Sequence, residues 1–323
     1  MTMQEAQNMK KLNVAILGLG TVGGGVYDIL IKNSDIITKR TNAEISVKKI
    51  FGRRHRDDIP EEMFTLNIDD IVNDPEIDAV VETLGGIEPA HEFAVKAMKA
   101  KKHFITANKA MLAANFKELN TLSEENDVKL LYEASVAGGI PVITSIRNEL
   151  VGNRFTEVMG IINGTTNFIL TKMDEEGAEY KDALKVAQEK GFAEADPTAD
   201  VDGIDAANKL SILIALMFNE YVDPMSIPRC GIRHLTQLDF AEAKMKNKKI
   251  KLIAHAWVQN GKLKYSVKPE GVSIDHPLAK VNNEYNAVYV TCDAVGDVMY
   301  YGKGAGAYPT GSAVVGDIIS LVK

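Results

Sequence analysis

Three spaced glycines constrain this chain more than any other feature. Gly18-Leu19-Gly20-Thr21-Val22-Gly23 follows a short apolar run, Leu12–Leu17, and opens a segment with helical spacing, Thr21–Lys32. A strand feeding a helix through such a turn does one thing well. The first glycine makes the tight turn, the second lets the backbone approach a pyrophosphate, and the third lets the helix pack on the strand. The first amides of the helix then face phosphate charge. The alternation continues, with strands expected at Ile45–Phe51, Ala79–Glu82, His103–Thr106 and Val128–Tyr132, and helices at Ala90–Lys101 and Phe116–Asn126. Strands alternating with helices imply a parallel sheet covered on both faces. The expectation is an α/β, Rossmann-type dinucleotide-binding domain over residues 1–138.

The second strand speaks to the cofactor. An NAD-selective site has Asp or Glu near the end of that strand, holding the ribose 2′-hydroxyl. Here the strand runs into Gly52-Arg53-Arg54-His55-Arg56 with no carboxylate. Guanidinium forks suit a 2′-phosphate. NADP is therefore favoured over NAD, with Arg53 and Arg54 as phosphate ligands; a solvated basic loop is the bland alternative.

The pattern changes after Tyr132. Ala134–Pro141 is a loop of small residues, and helical spacing dominates from Gly164 to Asn219. Two β-hairpins are expected, Lys251–Val258 with Lys262–Val267 across Asn260-Gly261, and Asn286–Ala294 with Asp297–Tyr301. A second, α+β domain over 139–306 follows, with the C-terminal segment 307–323, helical at least over Ala313–Val322, packing back on the first domain.

At 323 residues the chain has room for about two domains. Its net charge of −7 gives no basic footprint for nucleic acid. Two cysteines, Cys230 and Cys292, argue against a disulfide framework and for a reducing, cytoplasmic setting. Met1–Lys11 is polar, without an apolar signal core, and no apolar run is long enough to span a bilayer.

The chemistry is expected between Gly191 and Phe218. Glu194, Asp196, Asp200 and Asp202 lie in a loop broken by Pro197, and a helix follows. Asp205 and Lys209 sit four residues apart on it, with Asp202 just before on the same side. After Lys209 the helix is apolar almost all round, interrupted only by Ser211, so it should be buried. A buried lysine needs a partner. Carboxylates gathered round it suit a small charged substrate better than they suit a solvated face.

With these residues in place the chain resembles the homoserine dehydrogenase family over nearly its whole length. The similarity lies in Leu17–Val26, Val80–Ala90, Thr106–Ala113, Tyr132–Pro141, Ile162–Asn167, Gly191–Leu210 and Gly302–Gly306. The resemblance implies reversible hydride transfer between L-homoserine and L-aspartate 4-semialdehyde, in threonine, methionine and isoleucine biosynthesis. It implies Lys209 as acid/base on the substrate hydroxyl, with Lys109 near the nicotinamide and substrate. Glu194, Asp205 and Asp200 would bind substrate, and Gly164 and Thr165 would line its pocket. Gly18, Gly20, Thr21, Val22, Gly23, Thr83, Gly191, Gly304 and Gly306 would approach the cofactor. Many members hold a sodium ion on oxygens matching Glu133, Val136, Gly138 and Ile140, and most are dimers through a sheet in the region 250–301. Longer members add a C-terminal regulatory (ACT) domain, which this sequence is expected to lack. Ala199 stands where the family often has an acid.

Two rivals remain. Cys230-Gly231-Ile232-Arg233-His234 could present a reactive thiol, as in thioester-forming aldehyde dehydrogenases. A non-catalytic NADP sensor would keep the glycines but would not need Lys109, Glu194, Asp205 and Lys209 together.

Overall fold

The computed structural model describes residues 9–323; Met1–Asn8, most of the polar stretch read above as lacking a leader, lies outside the described residues. The chain divides into two compact units. One takes the chain up to Gly139 together with Gly306–Lys323, and the other is Ile140–Ala305.

The first unit is built on six parallel strands: β1 (Lys10–Leu17), β2 (Ala43–Phe51), β3 (Phe64–Thr65), β4 (Ala79–Glu82), β5 (His103–Thr106) and β6 (Leu130–Leu131). Their order is β3-β2-β1-β4-β5-β6, the doubly wound arrangement whose strand order reverses beside β1. Val14, Ala15, Ile16 and Leu17 are fully buried, as a strand covered on both faces must be. The helices that matter here are α1 (Thr21–Lys32), α2 (Ser34–Thr41), α3 (Ala90–Lys99), α4 (Lys109–Ala114) and α5 (Phe116–Glu125). The C-terminal helix, Ala307–Ser320, completes this unit. Val314, Val315 and Ile318 share one core with Val26 and Leu30 of α1 and Val14 and Ile16 of β1. The two helices approach closely at Gly25, where a Cβ would fall 2.1 Å from the Ala307 carbonyl oxygen.

Three details differ from the sequence reading. β6 is only two residues long and runs into a 3₁₀ turn at Glu133–Ser135. α2 and β3 had no periodicity to announce them. The C-terminal helix begins six residues before Ala313, because Pro309 sits in its first turn, where no amide hydrogen is required.

The second unit carries a five-stranded antiparallel sheet in the order β11-β10-β7-β8-β9. The strands are β7 (Phe155–Ile161), β8 (Lys248–Gln259), β9 (Lys262–Ser273), β10 (Tyr285–Cys292) and β11 (Asp297–Lys303). Both expected hairpins are present, and the first extends well beyond its expected ends. The central strand β7 was missed, because Glu157 and Gly160 break its apolar alternation. Its helices include α6 (Gly164–Glu176), α7 (Tyr180–Glu189), α8 (Thr198–Val201), α9 (Ile204–Phe218) and α10 (Gln237–Met245). Along α9, Ala206, Leu210, Ile212, Leu213 and Ile214 are all buried, as its unbroken apolar surface requires.

Candidate active site

In the first unit the glycine turn closes at the carboxyl end of β1. Gly18 has a positive φ of 94°, and its amide donates to the Phe51 carbonyl at 2.8 Å. A Cβ on Gly23 would lie 1.9 Å from the Gly18 oxygen, so no larger residue fits there. The Thr83 hydroxyl lies within hydrogen-bond distance of the Leu17 and Gly18 carbonyls at 3.0 and 2.8 Å. Thr83 therefore braces the turn. Gly20 is the N-cap of α1 and supplies no capping side chain. The first ladder bond runs from the Gly24 amide to the Gly20 carbonyl, so the amides of Thr21, Val22 and Gly23 precede the helix's own hydrogen bonds and can serve a phosphate. The residues thus fit a dinucleotide.

At the end of β2, Arg53 and Arg54 are exposed, His55 stacks on Phe64, and Arg56 is engaged by Asp28 at 2.8 Å and Asp58 at 2.6 Å. Two of the three arginines of that loop are thus left facing solvent.

A buried carboxylate that sequence reasoning passed over organises the neighbouring strand ends. Glu82 is fully buried and accepts the amides of Leu84 (2.7 Å) and Gly85 (3.3 Å) and the hydroxyl of Thr106 (2.6 Å). Burial pushes its carboxyl above the ordinary range, against those hydrogen bonds. Thr106 in turn accepts the Asn108 amide at 2.9 Å. Asn108 caps α4 through Met111 and ties its side-chain amide to the Gly86 carbonyl at 2.6 Å. Half-buried Lys109 is the first residue of that helix.

The second unit holds the lysine and the acids. Lys209 is 9% exposed and Asp205 7%. Lys209 Nζ donates to Asp205 Oδ2 and to the Ile162 carbonyl, each at 2.7 Å. The side-chain amide of Asn163 donates to Asp200 Oδ1 at 2.7 Å and to Asp205 Oδ2 at 3.0 Å. Its oxygen accepts the Thr166 amide at 2.8 Å, capping α6, so the amide cannot turn over without losing both roles. Burial, and then the charge of Asp205, hold the Asp200 carboxyl above its ordinary range. Thr165 donates to the Phe192 carbonyl at 2.6 Å, joining the start of α6 to the loop that carries Glu194. Gly164 is the first residue of α6, and Gly191 is exposed with φ of 74°.

The sequence reading needs correction at Asp202. It turns outward to Arg233, with Nε to Oδ1 at 2.6 Å, and is no part of the cluster. Glu194 is exposed, whereas Asp200, Asp205 and Lys209 are linked through Asn163. Asn163, read only as part of a motif, is the link. Cys230 Sγ lies 4.0 Å from both ring nitrogens of His234, beyond a close thiolate–imidazolium contact. It borders a separate cavity of about 430 Å³ lined by Leu235, Lys246 and Lys268 among others.

Another buried lysine of this unit was not anticipated. Lys251 of β8 is 2% exposed. It donates to the Val281 carbonyl and to the side-chain oxygens of Asn282 (3.0 Å) and Asn167 (3.3 Å). Burial, with Lys249 adding to it, pushes its pKa down to about 8. Among the described residues no group of three His, Cys, Asp or Glu is placed to hold a metal, and no helix is long and apolar enough to cross a membrane.

A chain carrying a dinucleotide-binding turn and a buried lysine–carboxylate cluster is of the nicotinamide-dependent oxidoreductase class. Family models described as homoserine dehydrogenase, NAD binding domain, and homoserine dehydrogenase match residues 18–133 and 141–319. The homoserine dehydrogenase of Bacillus subtilis is 42% identical over 98% of this chain and 74% of its own length. The solved homoserine dehydrogenase from Thiobacillus denitrificans superposes with a TM-score of 0.93, at 42% identity over 97% of this chain and 74% of that one. A hyperthermophilic archaeal homoserine dehydrogenase, solved in complex with NADPH, superposes with a TM-score of 0.80, at 30% identity over 96% and 97% of the two chains. The chain belongs to the homoserine dehydrogenase family.

Proposed function

We propose that this chain interconverts L-homoserine and L-aspartate 4-semialdehyde, a step toward threonine, methionine and isoleucine. The observation that carries the reading is the buried Lys209–Asp205 pair, joined to Asp200 by one asparagine. A bound nicotinamide dinucleotide supplies the hydride acceptor or donor. Lys209 takes the hydroxyl proton in oxidation and returns it in reduction. An ammonium has no lone pair, so it is the neutral amine of Lys209 that accepts this proton. Asp205 orients Lys209, while Glu194 and Asp200 answer the substrate ammonium. Gly164 and Thr165 line the pocket, and Lys109 assists beside the reacting carbon.

On the cofactor side, Gly18, Gly20, Thr21, Val22 and Gly23 cradle the pyrophosphate, with Thr83 fixing the turn and Gly191, Gly304 and Gly306 completing the approach. NADP is preferred to NAD, through Arg53 and Arg54. The Glu133–Ile140 bend holds a sodium ion on oxygens of Glu133, Val136, Gly138 and Ile140. Support comes from the 4% exposure of Glu133 and the consecutive left-handed residues Ala137 and Gly138, which suit a bend that gathers carbonyl oxygens. The working form is a cytoplasmic homodimer.

The test follows absorbance at 340 nm with homoserine and each dinucleotide in turn. Reduction of NADP by homoserine is expected. Binding of NADP with no absorbance change would favour the sensor instead. Activity resistant to iodoacetamide is expected; loss of activity with iodoacetamide together with an inactive Cys230→Ser variant would revive the thiol reading.

A further inference from the structure

One side-chain amide in the second unit is buried with its oxygen unpartnered. Asn286, on β10, is 1% exposed, and its side-chain oxygen has no hydrogen-bond partner. Buried polar side chains are nearly always satisfied, so such an exception calls for an explanation. Two glycines border it. A Cβ on Gly304 would fall 2.0 Å from Asn286 Nδ2 and 2.5 Å from its Oδ1, and one on Gly164 would lie 3.7 Å from Oδ1. The amide thus occupies space that any side chain at 304 would fill. On the side of Gly164 it adjoins the start of α6, next to Asn163, which holds Asp200 and Asp205.

We propose that Asn286 is a substrate-recognising residue whose amide oxygen takes an N–H of the bound amino acid's ammonium. The proposal rests on the homoserine reading above. An amide oxygen only accepts, so the substrate carboxylate cannot satisfy it. The hydroxyl belongs to Lys209. The ammonium is the donor that remains.

The test uses two near-isosteric variants of the full chain, Asn286→Leu, which removes the acceptor, and Asn286→Asp, which keeps it and adds charge. In the Leu variant the KM for homoserine should rise about tenfold, the worth of one hydrogen bond to a charged donor. Its kcat should stay within about twofold, and the Kd for NADPH, read by fluorescence, should not change. The Asp variant should melt at lower temperature alone and show a larger homoserine-induced rise in melting temperature than the parent. That arm stands even if the Leu variant fails to fold. An unchanged KM in the Leu variant, or no larger shift in the Asp variant, overturns the proposal and points to a buried water on the amide. A Kd for NADPH that rises in step with KM also overturns it, by assigning the amide to the cofactor. In each of these cases the parent still oxidises homoserine; a parent that does not would overturn the underlying reading as well.

Discussion

Replacing Asn163 by Asp changes almost no volume and reverses the sign of the contact that joins the acid cluster. The native amide gives one N–H to Asp200 at 2.7 Å and another to Asp205 at 3.0 Å. The variant puts a third carboxyl where those hydrogens were. Two unit charges about 4 Å apart at an effective dielectric near 20 repel by roughly 4 kcal/mol. The cheaper escape is for one carboxyl to take a proton and bridge its neighbour. From an ordinary pKa near 3.9, holding that proton costs about 4 kcal/mol at pH 7 and about 1.5 kcal/mol at pH 5. Asp200 already leans toward the protonated form through burial and the charge of Asp205, so these are upper figures. The expected result is a loss of roughly 2–4 kcal/mol in the urea unfolding of the second unit at pH 7, at least half recovered at pH 5. Asn163→Ala is the control. It removes both donors and the α6 cap without adding charge, so its loss should vary little across that range. A Asp variant whose deficit is equal at pH 5 and pH 7 would refute the electrostatic reasoning; one as stable as the parent at both would show that Asn163 is not the link.

Lys209→Ala should lower kcat for homoserine oxidation by about 10²–10⁴-fold, the usual worth of a positioned acid/base; stopped-flow or steady-state turnover near normal would remove the assignment. Lys251 offers a stability test with the opposite sign from the acids. Its proton affinity in the fold is reduced to about 8, so between pH 8 and 10.5 the unfolded chain binds more protons and stability should rise with pH, by up to roughly 3 kcal/mol. Urea midpoints measured across that range should climb in the parent and stay flat in Lys251→Met. Arg53→Ala combined with Arg54→Ala should raise the KM for NADPH at least tenfold while leaving that for NADH nearly unchanged, since one charged contact to the 2′-phosphate is worth about 1.5–3 kcal/mol; equal effects on both dinucleotides would assign the arginines elsewhere.

The legible parts of this chain were those governed by local rules. The glycine turn, the alternation of strand and helix, and the burial of α9 all follow from spacing, and each is where spacing puts it. The expected hairpins at β8–β9 and β10–β11 rested on period-two patterning and turn glycines. What escaped was set by distant partners. β7 is central in its sheet yet carries Glu157, which finds His255 across the strand at 2.6 Å. Lys251 is surrounded by the carbonyl of Val281 and two asparagine oxygens, partners 30, 31 and 84 residues away. Asp202 lies at helical spacing from the cluster but is claimed by Arg233, 31 residues away. Glu82 and Asn163 each organise their own unit through hydrogen bonds whose partners lie 24 to 42 residues off in sequence. No periodicity reports such pairs.

The nucleotide-binding unit is interrupted. Its sheet is complete by Leu131, but Val314, Val315 and Ile318 reach its core only after residues 140–305 have been made. At roughly 5–20 residues per second that delay lasts on the order of 10–30 s on a ribosome. Throughout it, Val26 and Leu30 face an unfilled apolar gap. A nascent chain of this kind is a natural client for chaperones, and translation stalled anywhere inside the insert would leave a half-finished, sticky product.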